Sequence, residues 1–61
     1  MLTQRESEVM SLLIQGFTNP EISEKLIVTE HTTKAHLTSI YKKFGVKNRA
    51  QAIVKYLRRN G

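Results

Sequence analysis

The strongest constraint on the fold is the spacing of helix-capping residues along the chain. Thr3 and Glu6 have the spacing of a capping box, in which the Thr hydroxyl accepts from the Glu6 amide and the Glu6 side chain reaches back. Gly16 suits the left-handed position at which a helix ends. Asn19 before Pro20 is typical of a second helix start, because proline at the first helical position loses no needed hydrogen bond. These signals predict short helices joined by tight turns.

The same chemistry marks two further helices. Thr29 is a predicted cap for a third helix, Gly45 ends that helix, and Asn48 can cap a fourth. About three residues separate the second and third helices, the length of a helix-turn-helix connection. The sequence therefore predicts one domain, residues 1–61. Its expected class is all-α, a four-helix bundle of winged-helix-like size that contains a helix-turn-helix and no sheet, with helices at about 4–15, 20–27, 30–44 and 49–59.

Helical periodicity separates an inward from an outward side of the third helix. At 100° per residue, the predicted core stripe consists of Thr33, Leu37, Ile40, Tyr41 and Phe44. The predicted outer side consists of His31, Ala35, Thr38, Ser39 and Lys42, with Lys34 on its flank. This outer side is small, polar and cationic, as suits a helix that approaches base edges. A Thr at 33 must satisfy its hydroxyl, and the carbonyl of Thr29 is the expected acceptor.

The first and fourth helices also have apolar stripes. In the first helix the stripe is Val9, Leu12 and Leu13. In the fourth helix we expect burial of Ala50, Ile53 and Leu57, with Gln51, Val54, Lys55 and Arg58 on the outer side. Val54 on this polar side fits either a partner surface or an isolated exposed valine, which is common on protein surfaces.

Charge is divided unevenly between the two halves of the chain. Residues 1–30 hold two basic and five acidic residues, a formal charge of −3. Residues 31–61 hold eight basic and no acidic residues, a formal charge of +8. A cationic surface of this kind attracts a polyanion, and nucleic acid is the commonest one.

The residue inventory argues against an enzyme. The chain has no Cys and no Asp, and it has no Gly-rich phosphate loop. His31 and His36 are five residues apart, about 140° around a helix, so they cannot share a metal ion. We therefore expect no catalytic residue, no metal and no cofactor. No apolar run approaches the ~20 residues that span a bilayer, so we expect no membrane contact and a cytoplasmic location.

Four motifs, taken together, resemble the LuxR-type (GerE- or FixJ-like) helix-turn-helix domain of bacterial transcriptional regulators. The opening L-T-Q-R-E at 2–6 with E-V at 8–9 is similar to the family's start, and Gly16 with T-N-P-E-I at 18–22 is similar to its turn and second helix. The remaining matches are Thr29, Thr32, Lys34 and His36, then Ile40, Lys43, Val46, Arg49 and Ala52. The chain departs from the family pattern at Thr33, where Val is usual, and at Phe44, where Leu is usual.

The resemblance implies sequence-specific binding of double-stranded DNA, with the third helix in the major groove. By position it makes Lys34, Ala35 and Thr38 the base readers. Contacts to the DNA backbone are expected from Thr32, Thr33, His36 and Lys43, and additionally from Lys42 and from the helix starts at Asn19 and Thr29, because helix N-termini favour anions.

The resemblance also implies partners beyond DNA. Family members commonly form homodimers through the fourth helix, here around Gln51, Val54 and Arg58, and would bind two half-sites. They usually carry a receiver domain, as response regulators do, or a ligand-binding domain before this one, so such a domain is expected upstream of these residues. RNA polymerase is a candidate partner.

Two other functions remain open. A sigma-factor region that reads the promoter −35 element has a similar T-x-R-E and turn pattern, although the fourth helix and the Val46, Arg49, Ala52 ending argue against it. A protein-interaction module could also use the helix-turn-helix as a scaffold. Neither alternative is an enzyme.

Overall fold

The computed structural model describes residues 1–58, which form four α-helices and contain no β-strand. The helices are α1 (Gln4–Ile14), α2 (Asn19–Leu26), α3 (Glu30–Phe44) and α4 (Arg49–Arg58). Helices α1 and α3 each pack against all three other helices, and α3 makes the more extensive contacts, so it is the central element. The all-α prediction is confirmed, and the predicted bounds of α3 are correct. The predicted last residue of α4, Arg59, lies outside the described residues.

Three of the predicted helix starts are confirmed. At α1 the Glu6 amide donates to Thr3 Oγ1 at 3.1 Å, and the Thr3 amide donates to Glu6 Oε1 at 2.9 Å. At α3 the Thr32 amide donates to Thr29 Oγ1 at 3.2 Å. At the start of α4 the Gln51 amide donates to Asn48 Oδ1 at 2.9 Å. Local capping chemistry therefore fixes where these helices begin.

The predicted cap of α2 is wrong by one residue. Thr18, not Asn19, is the N-cap: its hydroxyl accepts from the Glu21 amide at 3.3 Å, and its amide donates to Glu21 Oε1 at 2.8 Å. This reciprocal pair needs a Glu three residues after the cap. Asn19 has Ile22 at that position, so Asn19 becomes the first helical residue instead.

Helices α1, α2 and α3 end with the same backbone motif. A residue with positive φ follows each helix, and the next amide donates to a carbonyl five residues earlier, as Val28 does to Ser23 at 3.0 Å. The residue with positive φ is Gly16 (94°), Ile27 (57°) or Gly45 (68°). Because the turns begin early, α1 and α2 each end one residue before the predicted bound.

The core lies between the helices and is small. Its buried apolar residues are Val9, Met10, Leu13, Ile22, Leu37, Ile40 and Ala52. The predicted inward stripe of α3 is confirmed, since Thr33, Leu37 and Ile40 are buried while Tyr41 and Phe44 are half-buried against the core.

The predicted rotation of α4 is partly wrong. Ala50 is exposed and Leu57 is 60% exposed, whereas Ala52 is fully buried. Ile53 packs against the core as expected, next to Tyr56. Apolar residues occur around most of the circumference of α4, so two stripes fit its sequence, and the structure uses the stripe that contains Ala52.

Arg49 ties α4 to the turn between α1 and α2. Its Nη2 donates to the carbonyl of Phe17, and its Nη1 lies 3.5 Å from Asn19 Oδ1. This contact holds the start of α4 against the helix-turn-helix unit. No helix within residues 1–58 has the length and apolar character needed to cross a membrane.

Candidate nucleic-acid interface

One side of α3 is open to solvent along most of its length. We define the α3 outer face by its exposed residues, His31, Lys34, Ala35, Thr38 and Lys42. Their spacing of three or four residues places them along one side of a helix. All three predicted base readers, Lys34, Ala35 and Thr38, lie on this face. Sequence reasoning placed His31 on this side but did not include it among the contact residues, although it lies one turn before Ala35.

The Thr38 hydroxyl is oriented by its own helix. Its Oγ1 donates to the carbonyl of Lys34 at 3.0 Å. The hydrogen of this hydroxyl therefore points back along α3, and its oxygen remains on the exposed side chain.

Ser39 does not lie on the outer face as predicted. It is half-buried, and its Oγ donates to Glu6 Oε2 at 2.8 Å. Ser39 is about 100° around the helix from Thr38, and this rotation turns it towards α1. A partner 33 residues away cannot be identified from helical spacing.

Glu6 connects the start of α1 to the second half of α3. Its Oε1 accepts from Lys43 Nζ at 2.7 Å, and its Oε2 accepts from Ser39. The hydrogen bond from Lys43, followed by the bond from the Thr3 amide, lowers the pKa of Glu6 from 4.5 to about 2, although burial opposes the shift. Glu6 is therefore a buried carboxylate that accepts bonds from both helices.

Lys43 has a different environment from its neighbour Lys42. Both side chains are exposed, but the Lys43 ammonium is bound to Glu6 and lies 3.4 Å from the carbonyl of Met1. A phosphate that contacted Lys43 would have to compete with the Glu6 carboxylate for the same ammonium.

Thr33 cannot make the predicted contact to the DNA backbone. Its side chain is fully buried, and its amide donates to the Thr29 carbonyl at 3.1 Å. The hydroxyl pairs with Ser23 Oγ at 2.7 Å rather than with the Thr29 carbonyl, and Ser23 Oγ in turn donates to the Asn19 carbonyl at 2.8 Å. Sequence reasoning missed this pairing because Ser23 belongs to another helix.

The remaining predicted backbone contacts lie at the start and on the flank of α3 or at the start of α2. Thr29 is exposed, while Thr32, His36 and Asn19 are half-buried. The Thr32 amide is already bound by Thr29, so the first turn of α3 does not offer that amide to a phosphate.

The exposed side of α4 forms a second candidate surface. We define the α4 outer face by the residues that line a groove beside it, Gly45, Val46, Ala50, Gln51, Val54, Lys55 and Arg58. Val54 is 50% exposed, and the neighbouring Leu57 is also open to solvent. The Gln51 Oε1 accepts from the Lys47 amide at 2.8 Å. All three predicted dimer residues, Gln51, Val54 and Arg58, lie on this face.

Comparison with known proteins places the chain among bacterial regulators. The model of the family "Bacterial regulatory proteins, luxR family" matches residues 1–56. The chain is 45% identical over 58 residues to the spore germination protein GerE of Bacillus subtilis, covering 95% of this chain and 78% of GerE. It is 48% identical over 59 residues to the transcriptional regulatory protein LiaR of the same organism, covering 97% of this chain but 28% of LiaR.

Solved structures share the fold. The response regulator ChrA of a heme-sensing two-component system superposes with a TM-score of 0.95 at 40% identity, covering 98% of this chain and 30% of ChrA. The DNA-binding domain of the response regulator ComA, solved in complex with the anti-activator RapF, superposes with a TM-score of 0.87 at 34% identity, covering 90% of this chain and 95% of that domain. The chain therefore belongs to the luxR family of bacterial regulatory proteins.

Proposed function

We propose that this domain binds double-stranded DNA in a sequence-specific manner, with α3 in the major groove. The observation that carries the proposal is the α3 outer face, an exposed and acid-free surface on the central helix. Lys34, Ala35 and Thr38 lie where base edges would be met, and Lys42 adds a cation for the phosphates. The family match and the similarity to the ComA DNA-binding domain support this proposal.

The charge of the chain fits such a role. No acidic residue follows Glu30, so most of α3 and all of α4 lie in the basic half. Phosphate attraction would supply most of the affinity, and base contacts would supply the specificity.

Selection of bound sequences from a random duplex pool, followed by titration of the selected duplex, tests the proposal. We expect a saturable, salt-sensitive complex and a defined consensus. Lys34→Ala should cost about 1–3 kcal/mol on the selected duplex and relax the choice of base at one position. Equal losses on selected and random duplexes would instead make Lys34 a phosphate contact.

We further propose that two copies pair through the α4 outer face to occupy two half-sites. Ala50, Val54 and Leu57 are exposed at spacings of four and three residues, which makes an apolar ridge on α4. Lys55 and Arg58 lie close to this ridge. In a dimer they would face the same cations of the second copy, and this repulsion predicts weak self-association of the domain alone.

Sedimentation analysis of the domain on a duplex with two half-sites tests this pairing. Val54→Gln replaces the apolar side chain with a neutral polar one, and it should weaken cooperative binding of the second copy while leaving binding to a single half-site unchanged. Ile14→Gln, at a partly exposed apolar residue of α1, is the matched control and should bind like the unaltered chain. Normal cooperativity in Val54→Gln would place the dimer contact elsewhere.

The longer relatives suggest a place for this domain. Because the chain spans less than a third of LiaR and of ChrA, we propose that it serves as the output domain of a longer regulator, in which a receiver or ligand-binding domain precedes it and RNA polymerase is a candidate partner. The family match favours this role over that of a −35 reader. Absence of any saturable DNA binding would favour the protein-interaction alternative.

A further inference from the structure

Thr38 is exposed on the α3 outer face, but its hydroxyl is not free to act as a donor. The partner of its Oγ1, at 3.0 Å, is the Lys34 carbonyl. A carbonyl oxygen only accepts, so the single hydroxyl hydrogen of Thr38 must lie on this bond. What Thr38 offers to a ligand is therefore the lone pairs of its oxygen.

The edges of the base pairs restrict what such an acceptor can bind. In the major groove the only hydrogen-bond donors are the N6 amino group of adenine and the N4 amino group of cytosine. Guanine N7 and O6, adenine N7 and thymine O4 are all acceptors and would face an acceptor. Phosphate oxygens are acceptors too, so Thr38 can bind a phosphate only by giving up its bond to Lys34.

Lys34 has the opposite polarity on the same face. Its ammonium has three donors and no acceptor, which suits guanine. Residues 34 and 38 are one turn apart, about 6 Å along the helix axis. This distance corresponds to roughly two base-pair steps of 3.4 Å.

We propose that Thr38 is a specificity residue that reads an exocyclic amino group, of adenine or cytosine, as a hydrogen-bond acceptor, within about two steps of the base read by Lys34. This inference rests on the proposed function, because it assumes that α3 enters the major groove. It adds the class of base recognised, and it favours a base contact of Thr38 over a phosphate contact, which would cost the bond to Lys34.

A double-mutant cycle, with one change in the side chain and the other in the base, tests the inference. Wild type first selects its consensus from a random duplex pool. In the selected duplex, each adenine is then replaced in turn by purine, which lacks the 6-amino group, and each cytosine by 2-pyrimidinone, which lacks the 4-amino group. Thr38→Val removes the oxygen and keeps the branched shape, whereas Thr38→Ser keeps the oxygen and removes the methyl group.

We expect wild type and Thr38→Ser to lose roughly five- to tenfold in affinity at one amino-deleted base. Thr38→Val should bind the parent and the amino-deleted duplex equally. The inference fails if Thr38→Val loses the same factor in affinity as wild type at that base. It also fails if Thr38→Ser alone changes its base preference and does so at a thymine, because that result would indicate a contact through the Thr38 methyl group. If wild type selects no sequence, the proposed function fails and this inference fails with it.

Discussion

The buried polar side chains among the described residues all help to position α3. They are Glu6, Ser23 and Thr33. Thr33 is part of α3 and pairs with Ser23 of α2, while Glu6 of α1 accepts from Ser39 and Lys43 of α3. Hydrogen bonds are directional, whereas apolar contacts are not. These three residues therefore fix the orientation of α3 against α1 and α2.

Glu6→Gln tests the α1–α3 connection. The substitution removes the anion that faces Lys43, and we expect the free energy of unfolding at pH 7 to fall by about 2 kcal/mol. Urea denaturation of both chains measures the loss. Glu8→Gln is the matched control, because Glu8 pairs with Arg5 in an exposed ion pair at 3.3 Å and should cost less than about 0.5 kcal/mol. Similar losses in both variants would contradict a special role for Glu6.

The same carboxylate predicts how stability depends on acid. The pKa of Glu6 is lowered to about 2 in the folded chain from an ordinary value of 4.5. Its contribution is therefore fully present above pH 4.5 and is lost as the pH falls towards 2. The stability difference between wild type and Glu6→Gln should shrink over this range, and a difference that stays constant would contradict the assignment.

The Ser23–Thr33 pair should behave as a unit. Ser23→Ala leaves the buried Thr33 hydroxyl without its partner and should cost about 1–2 kcal/mol. Thr33→Val leaves Ser23 bonded to the Asn19 carbonyl and should cost less. The double variant should therefore be more stable than the sum of the two single losses predicts, as measured by thermal unfolding. Additive losses would show that the two hydroxyls do not interact.

At the scale of the element, the turn between α2 and α3 contains a conformational conflict. Ile27 has a positive φ of 57° and is 90% exposed. A left-handed conformation is costly for a β-branched residue, and this exposed side chain gains little packing in return. The helix-turn-helix connection therefore stores strain at a residue where α1 and α3 have glycine.

Ile27→Gly should relieve this strain and raise the free energy of unfolding by about 0.5–1 kcal/mol, after allowance for the greater freedom of glycine in the unfolded chain. Gly45→Ala is the reciprocal control: apart from its chain neighbours, no residue has an atom within 4 Å of the added Cβ, so its expected cost of about 1 kcal/mol is conformational. Chemical denaturation of both variants checks the signs. Destabilisation by Ile27→Gly would mean that the Ile27 side chain makes a stabilising contact.

Helix ends were more predictable from sequence than helix rotations and long-range partners. The caps at Thr3, Thr29 and Asn48 use residues within three positions of each other, so their chemistry is visible locally. The start of α2 was ambiguous because Thr18 and Asn19 are both good caps. The rotation of α4 and the bonds of Glu6, Ser23 and Arg49 depend on packing between distant segments, which periodicity does not encode.

The exposed side of α3 was likewise predictable, but the state of its side chains was not. Helical spacing identified Lys34, Ala35 and Thr38 as outward residues. It could not separate Lys42 from Lys43, because only the folded chain brings Glu6 to one of them.

At the scale of the whole molecule, this difference between two adjacent lysines should affect DNA binding. Lys42→Met should reduce the slope of log K against log salt by about 0.9 if Lys42 neutralises one phosphate. Lys43→Met should change this slope less, because its ammonium already faces a carboxylate, and should instead lower stability. Titrations on random duplex at several salt concentrations, together with melting curves, measure both effects. Equal slope changes would show that Lys43 leaves Glu6 when DNA binds.

The way in which α4 is attached has a further consequence. Ala52 is its one fully buried residue among those described, and Arg49 supplies a contact to the preceding turn. Local opening costs least where little apolar surface is buried, so α4 is expected to detach before α3 in native-state fluctuations. A second copy that covers the α4 outer face would suppress this opening. The entropic cost of ordering α4 would then reduce the free energy gained on pairing. Pairing of the two copies and ordering of α4 would then be one cooperative event.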